Sequence, residues 1–410
     1  MSDPGLRAIS VLGFFSMIAI AWVFSKDRSL FPWRTVSWGV GIQLLLAILL
    51  LKTEVGRLFF VGVNTLVTRF LSYTRAGVDF VFGGLADVPF SFLVDVLPLI
   101  VFMGSFMAVL YHLGIVQRVV GVVAGLLSRT MRLSGAESLA GVANVFVGLV
   151  ESCLVIRPYL ARMTHSELFT LMTVGMSTVA GSVLLAYVEM LGGENFAGHL
   201  VTASLLSAPA GMLIAKVMLP ETGTPETGLQ AHAAIETDSV NVIDAAASGA
   251  ISGLRLAAYV GAMLIAFISL IALLNDVLGV FGTAVGIADL SFQRVLGILL
   301  SPIAWLLGIP FDDVVKVGGL LGVKTVLNEF LAYQQLGELA REGLLQPRSI
   351  LIASYALCGF ANFGSLAILI GGIGGIAPSR RSEVASLGLR AILAGSLTTF
   401  MTACVAGFLL

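Results

Sequence analysis

Residues 322–335 read GVKTVLNEFLAYQQ, which sets Lys324, Asn328 and Glu329 inside a run otherwise apolar enough for a membrane. An ionisable group moved into hydrocarbon costs roughly 2.5–3.5 kcal/mol on insertion scales, so such groups usually face a partner, a cavity or a substrate. Glu329 is therefore the first candidate ligand. A structural reading stays open, in which Lys324, five residues back and not quite on the same helical face, neutralises it. Asn328 weighs against that reading, because one ion pair would leave a second buried polar group unanswered.

The surroundings support a membrane setting. The chain has 410 residues, of which 58% are hydrophobic and 11% charged, and its mean hydropathy is +1.00. This excludes an ordinary soluble domain and indicates an all-α polytopic membrane protein. A net charge of -1 offers no basic surface for nucleic acid. Cys153, Cys358 and Cys404 lie apart in apolar runs, without the spacing of a metal site or disulfide framework. Residues 1–7 lack the basic region of a signal peptide, so the first apolar run is expected to remain as a span.

Runs of about 20 apolar residues match the hydrocarbon thickness and place spans at 8–25, 35–51 and 92–114. Lys26, Arg28 and Arg34 between the first two point to a cytoplasmic loop, which puts the N-terminus outside; Arg118, Arg129 and Arg132 then fall on the cytoplasmic side. Residues 55–80 disagree with this count, because Arg57, Arg69 and Arg75 fall on the outer side. Their alternation with phenylalanine, leucine and valine suits an amphipathic helix lying in the interface.

From 135 to 164 two arms, 139–147 and 153–160, flank Gly148 to Glu151, and each is too short to cross. That implies a re-entrant hairpin covered by protein or lining a wet cavity. Residues 168–191 are long enough to cross but carry MSTVAGS at their centre, with Ser177, Thr178, Gly181 and Ser182. An interrupted helix and a small-residue packing face both fit. Residues 200–219 cross back, and 220–253, with Glu221, Glu226, Glu236, Asp238 and Asp244, read as a polar cytoplasmic connection and the foot of the span 254–274. The region 296–340 is expected to be broken, by Pro302, Gly308, Pro310, Asp312 and Asp313 and then by Gly318, Gly319, Gly322 and Asn328-Glu329, its later part forming a second hairpin entered from outside. Residues 350–373 carry CGFANFGS at mid-span, Arg380 and Arg381 follow, and 384–410 form the last span, which leaves the C-terminus outside.

The order hairpin, interrupted helix, plain helix thus occurs twice with opposite entry. Inverted repeats of this kind hold substrate and coupling ions near the midplane, where hairpin turns meet broken helices. The expected division is 1–134 as N-terminal spans and interfacial helices of a scaffold, 135–219 as the first transport repeat, 220–295 as connection, long scaffold helix and interfacial segment, and 296–410 as the second transport repeat.

NVFVGLVES (144–152), STVAGSVLLAY (177–187), TASLLSAPAGMLIAKVMLPET (202–222), KTVLNEFLAYQQL (324–336) and SYALCGFANFGS (354–365) resemble the signature segments of the concentrative nucleoside transporter family, and LPLIVFMGSFMAVLYHLG (97–114) resembles its third bacterial span. The resemblance covers roughly residues 90–410. It implies eight transmembrane helices, two re-entrant hairpins, interfacial helices, a homotrimer in the cytoplasmic (inner) membrane and cation-driven uptake by an elevator-type movement. It also implies that Glu329, Asn362 and Ser365 hold the ribose hydroxyls and that Phe360 lies against the base. A carboxylate can accept from two hydroxyls, and an amide both donates and accepts. For sodium the resemblance points to Asn144, Val147, Thr178 and Val179, an oxygen set that suits a hard cation. Protons remain an alternative, since Glu151 and Glu329 could titrate in a desolvated site.

One departure stands out. Where members of that family read GQTE or GQSE, this chain has Gly148, Leu149, Val150 and Glu151. Losing an amide and a hydroxyl removes groups able to read a base edge, so altered base specificity is expected, with Leu149 and Val150 against the base face or a different ribose-bearing solute as cargo. An uncoupled facilitator or a binding or sensing protein is a second reading. An intramembrane enzyme is a third, but Ser152, His165 and Glu151 match no nucleophile elbow or zinc motif.

Overall fold

In the computed structural model, residues 3–84, 91–193, 196–229, 239–284, 286–287 and 290–410 are described. His232, Glu236 and Asp238 of the polar connection lie outside them, as does the Ser182 side chain. The described chain is helical throughout, joined by turns.

The N-terminal part comprises α1 (Pro4–Val23), α2 (Trp33–Lys52), α3 (Glu54–Phe82), a π turn (Phe92–Val96) running into α4 (Leu97–His112), and α5 (Ile115–Met131). The first repeat follows as α6 (Gly135–Phe146), α7 (Glu151–Val155), α8 (Arg157–Leu160), α9 (His165–Ser177), α10 (Gly181–Met190) and α11 (Ala197–Met218). Next come α12 (Val242–Ala284) and α13 (Phe292–Leu306). The second repeat is α14 (Val314–Val326), α15 (Glu329–Arg341), α16 (Pro347–Leu357), α17 (Phe363–Ile376) and α18 (Arg381–Leu409). Among the described residues, six helices are long and apolar enough to cross a membrane, those containing α1, α2, α4, α11, α12 and α18.

Burial divides these helices. In their most apolar stretches α11 and α18 are 89% and 83% buried, whereas α12 is 22% and α4 28% buried. The buried pair is the centre around which α9 and α16 pack, while α4 and α12 lie against one another at the side. Their contact depends on small residues: a Cβ at Gly249 would meet Gly104 O at 2.5 Å, and one at Gly253 would meet Ile100 O at 2.8 Å. Such close backbone approach replaces the hydrophobic drive that is missing between helices in lipid.

One expectation needs correction, and several element bounds become definite. The span 254–274 lies within a 43-residue helix, Val242–Ala284, so the expected foot is helical from Val242 and the helix runs on past Leu274 to Ala284. In 296–340, Pro302 lies within α13, and Gly318, Gly319 and Gly322 lie within α14. These glycines open α14 to α13, since a Cβ at Gly318 would lie 2.5 Å from Gly297 O; the breaks fall at 307–313 and 327–328, at the expected Gly308 to Asp313 and Asn328. α1 packs along α18 and α2 along α11. Finally, 115–131 is a helix that hydropathy does not single out, since it is amphipathic.

Charge placement accounts for the odd basic residues of α3. Arg57 pairs with Glu54 at 2.7 Å and Arg75 with Asp79 at 3.0 Å and Asp95 at 3.6 Å, so two of the three are locally balanced. Elsewhere one group of basic residues gathers at one end of the molecule. Lys26 N donates to Met218 O, Arg34 reaches Arg129 O, Arg162 pairs with Glu226 and Arg380 donates to Met163 O. The termini meet at the other end, where Arg7 donates to Leu410 O at 3.0 Å.

Candidate functional site

Both repeats break a helix, and each break has its own partners. The strand-like residue Thr178 ends α9, and the exposed backbone of Val179 is satisfied by Ser204, whose hydroxyl accepts from Val179 N at 3.2 Å and donates to Val179 O at 3.1 Å. In the second repeat α16 stops at Leu357, and Asn362 restarts the chain as the N-cap of α17, its Oδ1 accepting from Ser365 N at 2.7 Å. Asn328 does the same for α15 through Leu331 N at 2.9 Å. An N-cap of this kind satisfies a donor that the helix start leaves orphaned.

These caps bring Glu329 and Asn362 together. Asn362 Nδ2 donates to Glu329 Oε2 at 2.7 Å, and Tyr187 OH donates to Glu329 Oε1 at 2.9 Å. Each carboxylate oxygen thus has one fixed donor. Tyr187 is itself held, with its ring stacked on Tyr333 at 4.4 Å and edge-on to Phe330 at 5.0 Å. Tyr187 was not singled out in the sequence, where it lies in the segment 177–187 without a role of its own. Lys324 makes no direct ion pair with Glu329: its Nζ donates to Ala356 O at 3.0 Å and Thr399 Oγ1 at 2.9 Å.

A cavity of about 180 Å³ adjoins this cluster. Asn328, Glu329, Phe360, Asn362 and Ser365 line it from the second repeat, and Val147 to Glu151 from the first. Ala180, Val183, Phe330, Gly364 and Ile368 add to these walls, and α12 closes the cavity with Leu256, Val260 and Met263, all apolar. Phe360 is half-buried there, and the Glu151 side chain is open to the cavity. Gly148 makes the turn possible, since its φ is +117° and an added Cβ would lie 2.8 Å from Glu151 Oε2.

Leu149 and Val150 border the cavity, but their ends are turned to helices. Leu149 Cδ1 would lie 2.6 Å from a Cβ on Gly175, and Val150 Cγ2 would lie 2.8 Å from one on Gly372. The apolar turn is therefore packed down onto α9 and α17.

Beside this turn, Asn144 Nδ2 faces Gly175 O at 3.3 Å, Val174 O at 3.4 Å and Thr178 Oγ1, while Ser152 Oγ lies 3.5 Å from Asn144 Oδ1. Three oxygens converge on one donor, a set that fits a hard cation once the amide turns its oxygen inward. Of the four residues expected at a sodium site, Asn144 and Thr178 meet directly. Val147 follows α6 and lines the cavity, and Val179 faces Ser204. Ser152 joins this group without having been expected there. It does not approach the arrangement of a nucleophile, because its hydroxyl also donates to Leu149 O, and His165 pairs with Glu383 at an exposed helix end.

Three family models match the chain: "Na+ dependent nucleoside transporter N-terminus" over residues 12–85, "Nucleoside recognition" over 93–194 and "Na+ dependent nucleoside transporter C-terminus" over 199–407. The chain is 44% identical to the uncharacterized transporter YutK of Bacillus subtilis, over 97% of this chain and 98% of that one. It is 41% identical to solute carrier family 28 member 3 of Rattus norvegicus over 98% of its own length, and spans 59% of that longer relative. The solved structure of CNTnw in an inward-facing substrate-bound state matches with a TM-score of 0.93 and 42% identity, over 98% of both chains.

Proposed function

The chain belongs to the concentrative nucleoside transporter family, and from that premise we propose that it imports nucleosides across the cytoplasmic membrane by sodium symport. The observation that carries the reading is the Glu329 carboxylate, fixed between Tyr187 and Asn362 at the wall of the cavity. A carboxylate offers about four lone-pair directions, so two remain for the vicinal hydroxyls of a ribose. Asn362 and Ser365 complete the sugar site, with Asn328 beside them, and Phe360 covers the base.

Base recognition is looser. The seating of Leu149 and Val150 on Gly175 and Gly372 leaves Glu151 as the polar group of that turn toward the base. Several bases are therefore accepted with similar affinity, because an apolar wall does not penalise an exchanged donor and acceptor as a hydrogen-bonding one does. Sodium binds among Asn144, Val147, Thr178 and Val179, with Ser152 alongside.

Movement is of the elevator type. The two helix–turn–helix units are re-entrant hairpins, and α9–α10 and α16–α17 are interrupted crossings that bring the count to eight. With α1 and α2 they slide past α12, whose Leu256, Val260 and Met263 offer no directional bond to hold the cargo. The protein works as a homotrimer with both termini outside. Purified protein in liposomes tests the function: an inward sodium gradient should accumulate labelled nucleoside. Uptake driven equally by a proton gradient, or flux with no gradient at all, would replace the coupling; failure of every nucleoside to compete would remove the substrate.

A further inference from the structure

Lys324 is fully buried, and no carboxylate lies within 4 Å of its ammonium among the described residues. A buried cation is costly unless something answers its charge. Here the answer is Ala356 O at 3.0 Å, Thr399 Oγ1 at 2.9 Å and the Phe400 ring, 5.6 Å from Nζ to its centroid. Ala356 is the last residue but one of α16, so its carbonyl carries the negative end of that helix. Carbonyl, hydroxyl and aromatic face together make a receptor for a monovalent cation.

The position has a counterpart in the other repeat. Asn144 is third from the end of α6, and Glu151 opens α7 after the turn; Lys324 is third from the end of α14, and Glu329 opens α15 after the turn. Asn144 reaches the carbonyls at the end of α9, as Lys324 reaches the carbonyl at the end of α16. We propose that Lys324 is a tethered cation, its ammonium filling in the second repeat the place that an exchangeable sodium fills in the first. The turn of the second hairpin is then clamped to the broken helix permanently, and cation-dependent closure is confined to the first hairpin. The comparison with sodium rests on the proposed ion site at Asn144; the need for a cation at position 324 does not.

Two variants test it. Lys324→Ser leaves a space and an oxygen, and Lys324→Met fills the space without charge. Both should lose nucleoside binding, by about 10-fold or more. With sodium held at a concentration that saturates the site at Asn144, methylammonium should restore binding to Lys324→Ser and raise its melting temperature by several degrees, with neither effect in Lys324→Met or the wild type. Wild-type binding by Lys324→Met would overturn the proposal, because no charge would then be needed. A Lys324→Ser protein whose melting temperature ignores methylammonium at saturating sodium would overturn it too, even if the variant were too unstable to transport. Wild-type uptake indifferent to sodium would instead count against the ion site at Asn144, and cation rescue of Lys324→Ser would still stand.

Discussion

Asn362 Nδ2 stands 2.7 Å from Glu329 Oε2, tying the first turn of α17 to the first residue of α15. The bond is made by a side chain whose other end is already occupied, since Asn362 Oδ1 caps Ser365 N. Amide orientation is therefore set by the cap, and the carboxylate receives a donor of fixed direction. Glu329→Gln keeps the shape and removes the charge. Hydrogen bonds to charged groups contribute about 1.5–3 kcal/mol, so nucleoside affinity should fall about 10- to 100-fold. Calorimetric titration of the purified variant measures this directly, and affinity within a factor of two of the wild type would dismiss Glu329 as the sugar ligand.

Tyr187→Phe separates packing from bonding. The ring stack on Tyr333 at 4.4 Å is retained, and the hydroxyl 2.9 Å from Glu329 Oε1 is lost. A loss of about 1–2 kcal/mol is expected, or about 5- to 30-fold in affinity. Thermal stability without ligand should change little, because water in the adjoining cavity can serve the freed oxygen. A large fall in melting temperature with affinity intact would make Tyr187 a structural residue only.

What the sequence discloses and what it hides follow from the range of the interactions. Glu329 is visible because a lone acid in an apolar run violates a local rule, and the broken helices are visible as polar or glycine-bearing centres of long apolar stretches. Tyr187, Ser152 and the acceptors of Lys324 are not, because nothing within their own segments marks them; each gains its role from a residue brought close by the fold, 142 positions away for Tyr187 and 75 for Lys324 and Thr399. The extent of α12 is hidden for a different reason. Hydropathy reports where a helix meets lipid, and the helix continues to residue 242, well past the apolar run. The family likeness supplied Asn362, Ser365 and Phe360, which no local rule selects.

The apolar turn predicts a change in selectivity. Val150 is seated on Gly372 through both γ carbons but is half-buried at the cavity rim; Val150→Thr is nearly isosteric, adds a hydroxyl at that rim and should sharpen discrimination among bases several-fold in a competition panel, with little effect on stability. Leu149→Gln should behave differently, since Leu149 is seated toward Gly175 and only 8% exposed. Burying an amide there without a partner costs about 1–3 kcal/mol, which should appear as a lower melting temperature. Equal discrimination by the wild type and Val150→Thr would mean that this side chain does not face the base.

Thr178→Val addresses the ion. The Thr178 hydroxyl lies at the break of α9, donates to Val174 O at 3.0 Å and is bonded to Asn144 Nδ2. Valine preserves the branched shape and removes one oxygen from the group around Asn144. A hard cation with one ligand fewer is held less tightly, so the sodium concentration for half-maximal uptake should rise about 10-fold. Because Glu329, Asn362 and Ser365 are untouched, nucleoside affinity at saturating sodium should stay near the wild-type value. The two quantities are separable by titrating sodium at several fixed nucleoside concentrations in liposomes. A sodium curve that does not move would locate the coupling ion away from α9, whereas equal losses in both quantities would mean that Thr178 acts by holding the break in shape.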